Sequence, residues 1–230
     1  THASDVLNAF ELIGREALAL VLRHMPDTRD PLSGVAPWYA LVEVSGNQPG
    51  LDERLGELLG ALMAQGAMRD AVIAQDLAQA AALWALRENI SEAQRIEGFS
   101  VKHDISVPVS AIPCFIDRAG KRIVQALPGV RIVVFGHAGD GNLHYNLSFP
   151  QAEDNARLLA DAVIANALVY ETVRDLAGSV SAEHGIGQLK PQLLTACKSP
   201  VELDLMRSVK HALDPQALMN PGKLLPPPLI

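Results

Sequence analysis

The sequence predicts an α+β fold: an antiparallel or mixed sheet with helices packed on one face, ferredoxin-like β-α-β passages, and further helices toward the C-terminus. Two observations carry this. Short β-branched runs such as Val130 to Phe135 alternate with longer stretches whose apolar groups recur at helical spacing. Glycine, proline and polar clusters punctuate the changeovers.

Taken in order, residues 4 to 25 place Val6, Leu7, Phe10, Ile13, Ala17, Leu20 and Val21 at helical spacing, which predicts a helix ended by Pro26. Trp38 to Val44 reads as a buried strand, and the turn residues Gly46 to Gly50 lead from it into a helix over 51 to 65. A second strand is expected around 70 to 75. Asp76 to Gly98 is rich in strong helix formers and stops at glycine, so it reads as one long helix. Ile105, Val107 and Val109 alternate with small or polar residues in a strand from Asp104 to Ser110, and a helix follows from Pro113 to about 126. Val130 to Phe135 and Leu143 to Phe149 form two adjacent strands, with helices over 154 to 177 and 199 to 213.

Composition bounds the function. With 230 residues, 49% hydrophobic and 20% charged, the chain can bury a real core as one large or two small domains. A net charge of -7 offers no field for nucleic acid or anionic membranes, which leaves small molecules and proteins as partners. Cys114 and Cys197 lie far apart with no CxxC pattern, so both are expected to be buried small hydrophobes rather than a disulfide or a cysteine zinc site. The cytoplasm is the default compartment. No apolar run reaches the roughly 18 residues of a membrane span. A start at Thr1 without Met, basic leader or cleavage pattern fits a piece of a longer protein.

Chemistry concentrates in Phe135-Gly-His137-Ala-Gly139-Asp140-Gly141-Asn142-Leu-His144-Tyr-Asn146. Glycines around an aspartate between two strands make a tight turn. A hairpin centred on Asp140 and Gly141 would make His137 and His144 cross-strand partners, their Cβ atoms roughly 5 Å apart, with Asn146 on the same face. Two imidazoles so placed can share a divalent ion, but a catalytic site needs a third protein ligand. Glu183, in Ser181-Ala-Glu183-His184-Gly185-Ile-Gly187, can complete a His, His, Glu set, although nothing in the sequence shows the two segments meeting. His184 beside it is then free as a general base. Arg87 in its helix reads as part of a solvated face, and Lys102 stands where a loop opens before a strand; either cation can grip a carboxylate. From the residues alone, a self-sufficient metal hydrolase and a non-catalytic binding domain both stay open.

Four segments together resemble the C-terminal domain of FAD-linked oxidases, the group of D-lactate dehydrogenase, the glycolate oxidase flavoprotein subunit and D-2-hydroxyglutarate dehydrogenase. They are Lys102-His-Asp-Ile-Ser-Val-Pro-Val, His137 through His144, Ser181 through Gly187, and Asp214 through Lys223. The resemblance implies an FAD-binding domain preceding this cap domain in the full protein, and oxidation of a D-2-hydroxy acid to a 2-oxo acid. It implies metal ligation by His137, His144 and Glu183, with zinc first and manganese or iron as alternatives. His184 becomes the catalytic base, Arg87, Ser91, Lys102 and Asn146 contact the substrate, and Asn220 contacts the cofactor. Ser91 stands where relatives often carry Thr and Ala182 where they commonly carry Gly; the second change matters only if the backbone there needs positive φ. Without its flavin domain the chain is expected to be inactive, and the face left uncovered gives a route to a homodimer.

Overall fold

The computed structural model describes residues 6–47, 49–151 and 154–225. The chain divides into two compact units. The first comprises residues 1–102, 129–139 and 144–161, and the second residues 103–128, 140–143 and 162–230. Among the described residues no helix is long and apolar enough to cross a membrane.

In the first unit, strand β1 (Leu7–Gly14) runs into helix α1 (Arg15–His24), followed by β2 (Trp38–Val44), α2 (Leu51–Ala64), α3 (Leu77–Glu88) and α4 (Ile90–Glu97). Strand β4 (Arg131–His137) and most of β5 (Asn142–Ser148) complete a sheet in the order β2-β1-β4-β5. Every pairing between these strands is antiparallel. One sheet face carries Ile13, Val133 and Phe135, and these bury against Ala17, Leu18 and Val21 of α1, Leu86 of α3, and Ile90 and Ala93 of α4. Helices on one face of an antiparallel sheet are the predicted arrangement.

The second unit holds the fifth strand, β3 (Asp104–Ser106), and helix α5 (Ile112–Ala126). It also holds the C-terminal part of α6 (Asn155–Asp175), α7 (Pro191–Cys197) and α8 (Pro200–Leu213). Helix α5 buries Ile112, Phe115, Ala119 and Ile123, at i, i+3, i+7 and i+11, the stripe of an amphipathic helix. Arg122 of α5 reaches Thr172 at 2.9 Å and Glu171 at 2.5 Å on α6. Helix α8 opens with a capping box: Ser199 Oγ accepts from the Glu202 amide at 3.3 Å, and the Glu202 carboxylate accepts from the Ser199 amide at 2.9 Å. That backbone bond, with the Lys198 and Ser199 side chains, pulls the Glu202 carboxyl down to about 2.

Several sequence expectations change. The helix expected over 4 to 25 is a strand followed by a helix, because Val6, Phe10, Ile13 and Ala17 fit a 3.6-residue period while Ala9, Glu11 and Ile13 also fit a period of two. Burial follows the second pattern through β1: Glu11 and Ile13 are buried while Asn8 and Phe10 are exposed. No strand forms at 70 to 75. β2 is the edge strand and half-exposed rather than buried, with Trp38 39% accessible. The long helix breaks at Asn89 into α3 and α4, and the strand at 104 to 110 stops at Ser106 before a 3₁₀ turn over Val109–Ala111. Cys114 is exposed and Cys197 only partly buried, since Cys114 falls off the buried stripe of α5.

Two substitutions test these packing assignments. Ile90 is fully buried in the first unit, and Ile90→Ala should lower unfolding stability by about 2–5 kcal/mol in urea titrations. Gly141 has φ +83, and a Cβ there would lie 2.0 Å from the Val107 carbonyl oxygen. Gly141→Ala should therefore cost more than about 2 kcal/mol in the same titration, combining left-handed strain with a backbone clash.

Candidate active-site residues

In the first unit the strand registers decide which side chains share a face. β1 and β4 pair Glu11 with His137 and Ile13 with Phe135, and β4 and β5 pair Phe135 with His144 and Val133 with Asn146. Side chains alternate along each strand, so Glu11, His137, His144 and Asn146 share the face that packs on the helices. His137 and His144 are thus diagonal neighbours, not the direct partners expected. The connection between the strands is Ala138–Gly141, two residues longer than a tight hairpin, with the Asp140 carboxylate accepting from the Asn142 amide at 3.1 Å. The rings of Phe135 and His144 stack at 4.7 Å with an interplanar angle of 31°.

Glu11 is 2% accessible and lies between two cations or proton donors. Its Oε1 is 2.5 Å from His137 Nδ1, and its Oε2 accepts from Arg87 Nε at 2.6 Å. The guanidinium carbon of Arg87 also sits 4.9 Å from the centroid of the Phe135 ring, a cation–π distance. The solvated face expected for Arg87 from its helix alone is therefore wrong: its side chain is 11% accessible and paired. Arg87 lies in the last turn of α3 and Ser91 and Gln94 on α4, after the break at Asn89. Gln94 is buried and accepts from Asn146 Nδ2 at 2.9 Å, while Ser91 is exposed. Lys102 is exposed at the end of the same unit.

The second unit contains Glu183, His184 and Asn220. Asp104 on β3 is 3% accessible, and the loop 181–184 folds around its carboxylate. The amides of Ala182, Glu183 and His184 donate to Oδ2 at 3.2, 3.0 and 2.9 Å. Successive amides aimed at one anion form a nest. That nest sets the backbone of the loop and leaves the Glu183 and His184 side chains exposed, with His184 Nδ1 3.7 Å from Asp104 Oδ2. Ala182 does not adopt positive φ, so the alanine there is unstrained. Burial, aided by the negative charge of Asp104, pushes the Tyr170 hydroxyl up to about 12. Burial also draws the Lys190 ammonium down against the opposing pull of Asp104, and Lys190 Nζ donates to the Val180 carbonyl at 2.8 Å. Asn220 stands exposed at φ +49 in a turn organised by the Asp214 carboxylate, which accepts from the amides of Leu218 at 2.8 Å and Met219 at 2.9 Å.

Glu11, Gln94 and Asp104 are the residues that sequence reasoning missed. For Glu11 the signal was an acid inside the run Ala9-Phe-Glu-Leu-Ile13, which a strand period turns inward. Asp104 was in view within the segment beginning at Lys102, but its partners lie far along the chain and no local pattern announces them.

Residues 1–224 match the family described as FAD linked oxidases, C-terminal domain. The chain is 38% identical over 226 residues to the mitochondrial D-2-hydroxyglutarate dehydrogenase of Arabidopsis thaliana, covering 98% of this chain and 39% of that protein. To D-2-hydroxyglutarate dehydrogenase of Xanthomonas citri pv. viticola it is 39% identical over 219 residues, 95% of this chain and 46% of that one. In fold it resembles a crystal structure of p-cresol methylhydroxylase, with a TM-score of 0.61 at 12% identity over 95% of this chain and 47% of the other. The chain spans less than half the length of each of these proteins. It belongs to the FAD-linked oxidase family and corresponds to that family's C-terminal domain.

Proposed function

We propose that this chain is the substrate-binding and metal-binding part of an FAD-dependent dehydrogenase that oxidises a D-2-hydroxy acid to the 2-oxo acid, with the flavin held mainly by a domain outside this chain. The observation that carries the reading is the single sheet face of the first unit on which His137, His144 and Asn146 stand with Arg87. Family membership supports the redox class. The relatives named as D-2-hydroxyglutarate dehydrogenases make a hydroxy dicarboxylic acid the first substrate to try.

In this reading Arg87 holds the substrate carboxylate. Its Nε–H is committed to Glu11, which leaves the two terminal nitrogens to fork onto a carboxylate in a fixed plane. Ser91 and Lys102 add a hydroxyl and a point charge, and Asn146, whose Nδ2 donates to Gln94, is the further proposed polar contact. The donor types suit a divalent ion: His137 and His144 share one face, and a bond from His137 Nδ1 to a carboxylate would leave Nε2 for a metal. The proposed ligands are His137, His144 and Glu183, a set that suits zinc, with manganese or iron as alternatives. Bound there, such an ion would act as a Lewis acid toward the substrate hydroxyl, and the flavin would accept hydride. His184 takes the hydroxyl proton, on a loop backbone held by Asp104. Asn220 is the proposed contact of this chain to the flavin.

Two measurements test the assignment. After loading with zinc or manganese and removal of excess, elemental analysis should find near-stoichiometric metal in the unaltered chain and little in His137→Ala or His144→Ala variants of unchanged circular dichroism; full retention in both variants would remove these histidines from the ligand set. In the flavin-containing full protein, stopped-flow bleaching of the flavin by D-2-hydroxyglutarate should slow by about 10²- to 10⁴-fold in His184→Gln. An unchanged rate would dismiss His184 as the base.

A further inference from the structure

We infer that Glu11 is a positioning residue that locks the His137 ring in the Nδ1-protonated tautomer, so that Nε2 carries the lone pair offered to a cation. The inference rests on the proposed role of His137 as a metal ligand and adds to it the group that makes the ring a ligand. Glu11 lies opposite His137 in the β1–β4 register, and its Oε1 is 2.5 Å from Nδ1. A carboxylate accepts and does not donate, so the proton of that bond resides on the imidazole. The other oxygen of Glu11 is held by Arg87 Nε at 2.6 Å, and an arginine can only donate. With both oxygens committed and 2% of the residue accessible, Glu11 cannot swing to another partner without abandoning a buried bond. The His137 side chain is 43% accessible, unlike the buried carboxylate that holds it.

The same geometry links the two halves of the proposed chemistry. One carboxylate sets the tautomer of a metal-binding imidazole through Oε1 and the orientation of a carboxylate-binding guanidinium through Oε2. Replacing it by an amide breaks this symmetry in a defined direction. In Glu11→Gln the single amide oxygen must face Arg87, because Arg87 has no acceptor to offer, and the amide NH₂ then faces His137. Nδ1 must become an acceptor, and the ring proton moves to Nε2, the nitrogen needed for the ion.

The test is nitrogen-15 NMR of the histidine rings in the metal-free chain at pH 8, combined with zinc titration against a chelating competitor. The unaltered chain should show His137 protonated at Nδ1 and bare at Nε2, Glu11→Gln should show the reverse, and zinc affinity should fall about 10- to 100-fold in that variant. Protonation of His137 at Nε2 in the unaltered chain would overturn the inference, and this holds even if Glu11→Gln does not fold. A Glu11→Gln variant that folds but keeps the Nδ1 tautomer would overturn it as well. An unaltered chain with the expected tautomer that binds neither zinc nor manganese would instead overturn the metal-ligand reading of His137, while leaving the orienting contact of Glu11 established.

Discussion

The antiparallel register of β1 against β4 is the constraint on which the first unit depends, because it fixes at once what is buried and what is reactive. Pairing Ile13 with Phe135 delivers two large apolar groups to the helices, and the next pair on the same face is then Glu11 with His137. A slip of β1 by one residue would turn Ile13 away from the helices that Phe135 still faces, and would send Glu11 to the face opposite His137. The apolar core therefore polices the register, and the polar pair inherits its placement. Without those buried neighbours, a carboxylate and an imidazole would be a weak reason for two strands to align.

A buried carboxylate is a liability unless it is matched, which explains the density of contacts around Glu11. Removing one partner from a buried ion pair costs about 3–5 kcal/mol, because a desolvated charge is left behind. Arg87 answers that cost with a charge-assisted bond at 2.6 Å and gains further contact from the face of Phe135. Arg87 can be so placed because it leaves α3 in the turn before Asn89, and Asn89 keeps αR geometry between the two helices. Gln94, seven residues on, is thereby aimed at Asn146. Two successive helices thus carry the partner of Glu11 and the partner of Asn146.

The glycine-rich hairpin with its two histidines was legible because turn chemistry and strand periodicity are local, and local rules survive folding. The exact register was not legible. Asp140 can open either a two-residue or a four-residue connection, and choosing between them depends on how β4 meets β1. Glu11 was hidden for a related reason: over residues 6 to 17 the apolar positions satisfy helical and strand periods together, and only pairing with β2 and β4 selects the strand. Arg87 looked like a solvated helical residue because an arginine side chain reveals its partner only when the partner's strand is placed.

The two units solve the same physical problem separately and by different means. In the first, Glu11 orients an imidazole directly, side chain to side chain, so the strand backbone is free to serve the sheet. In the second, Asp104 binds the amides of residues 182 to 184 and so orients the loop that carries Glu183 and His184 rather than the side chains themselves. The difference suits the jobs proposed for them. A metal-binding ring needs a fixed tautomer, which only a direct bond to Nδ1 can impose. The loop that carries the proposed general base is held instead through its amides, with His184 Nδ1 3.7 Å from Asp104 Oδ2. Buried acids are used in both places because an acceptor shielded from water keeps its partners in one geometry, and it is that geometry, rather than net stability, that a reactive imidazole requires.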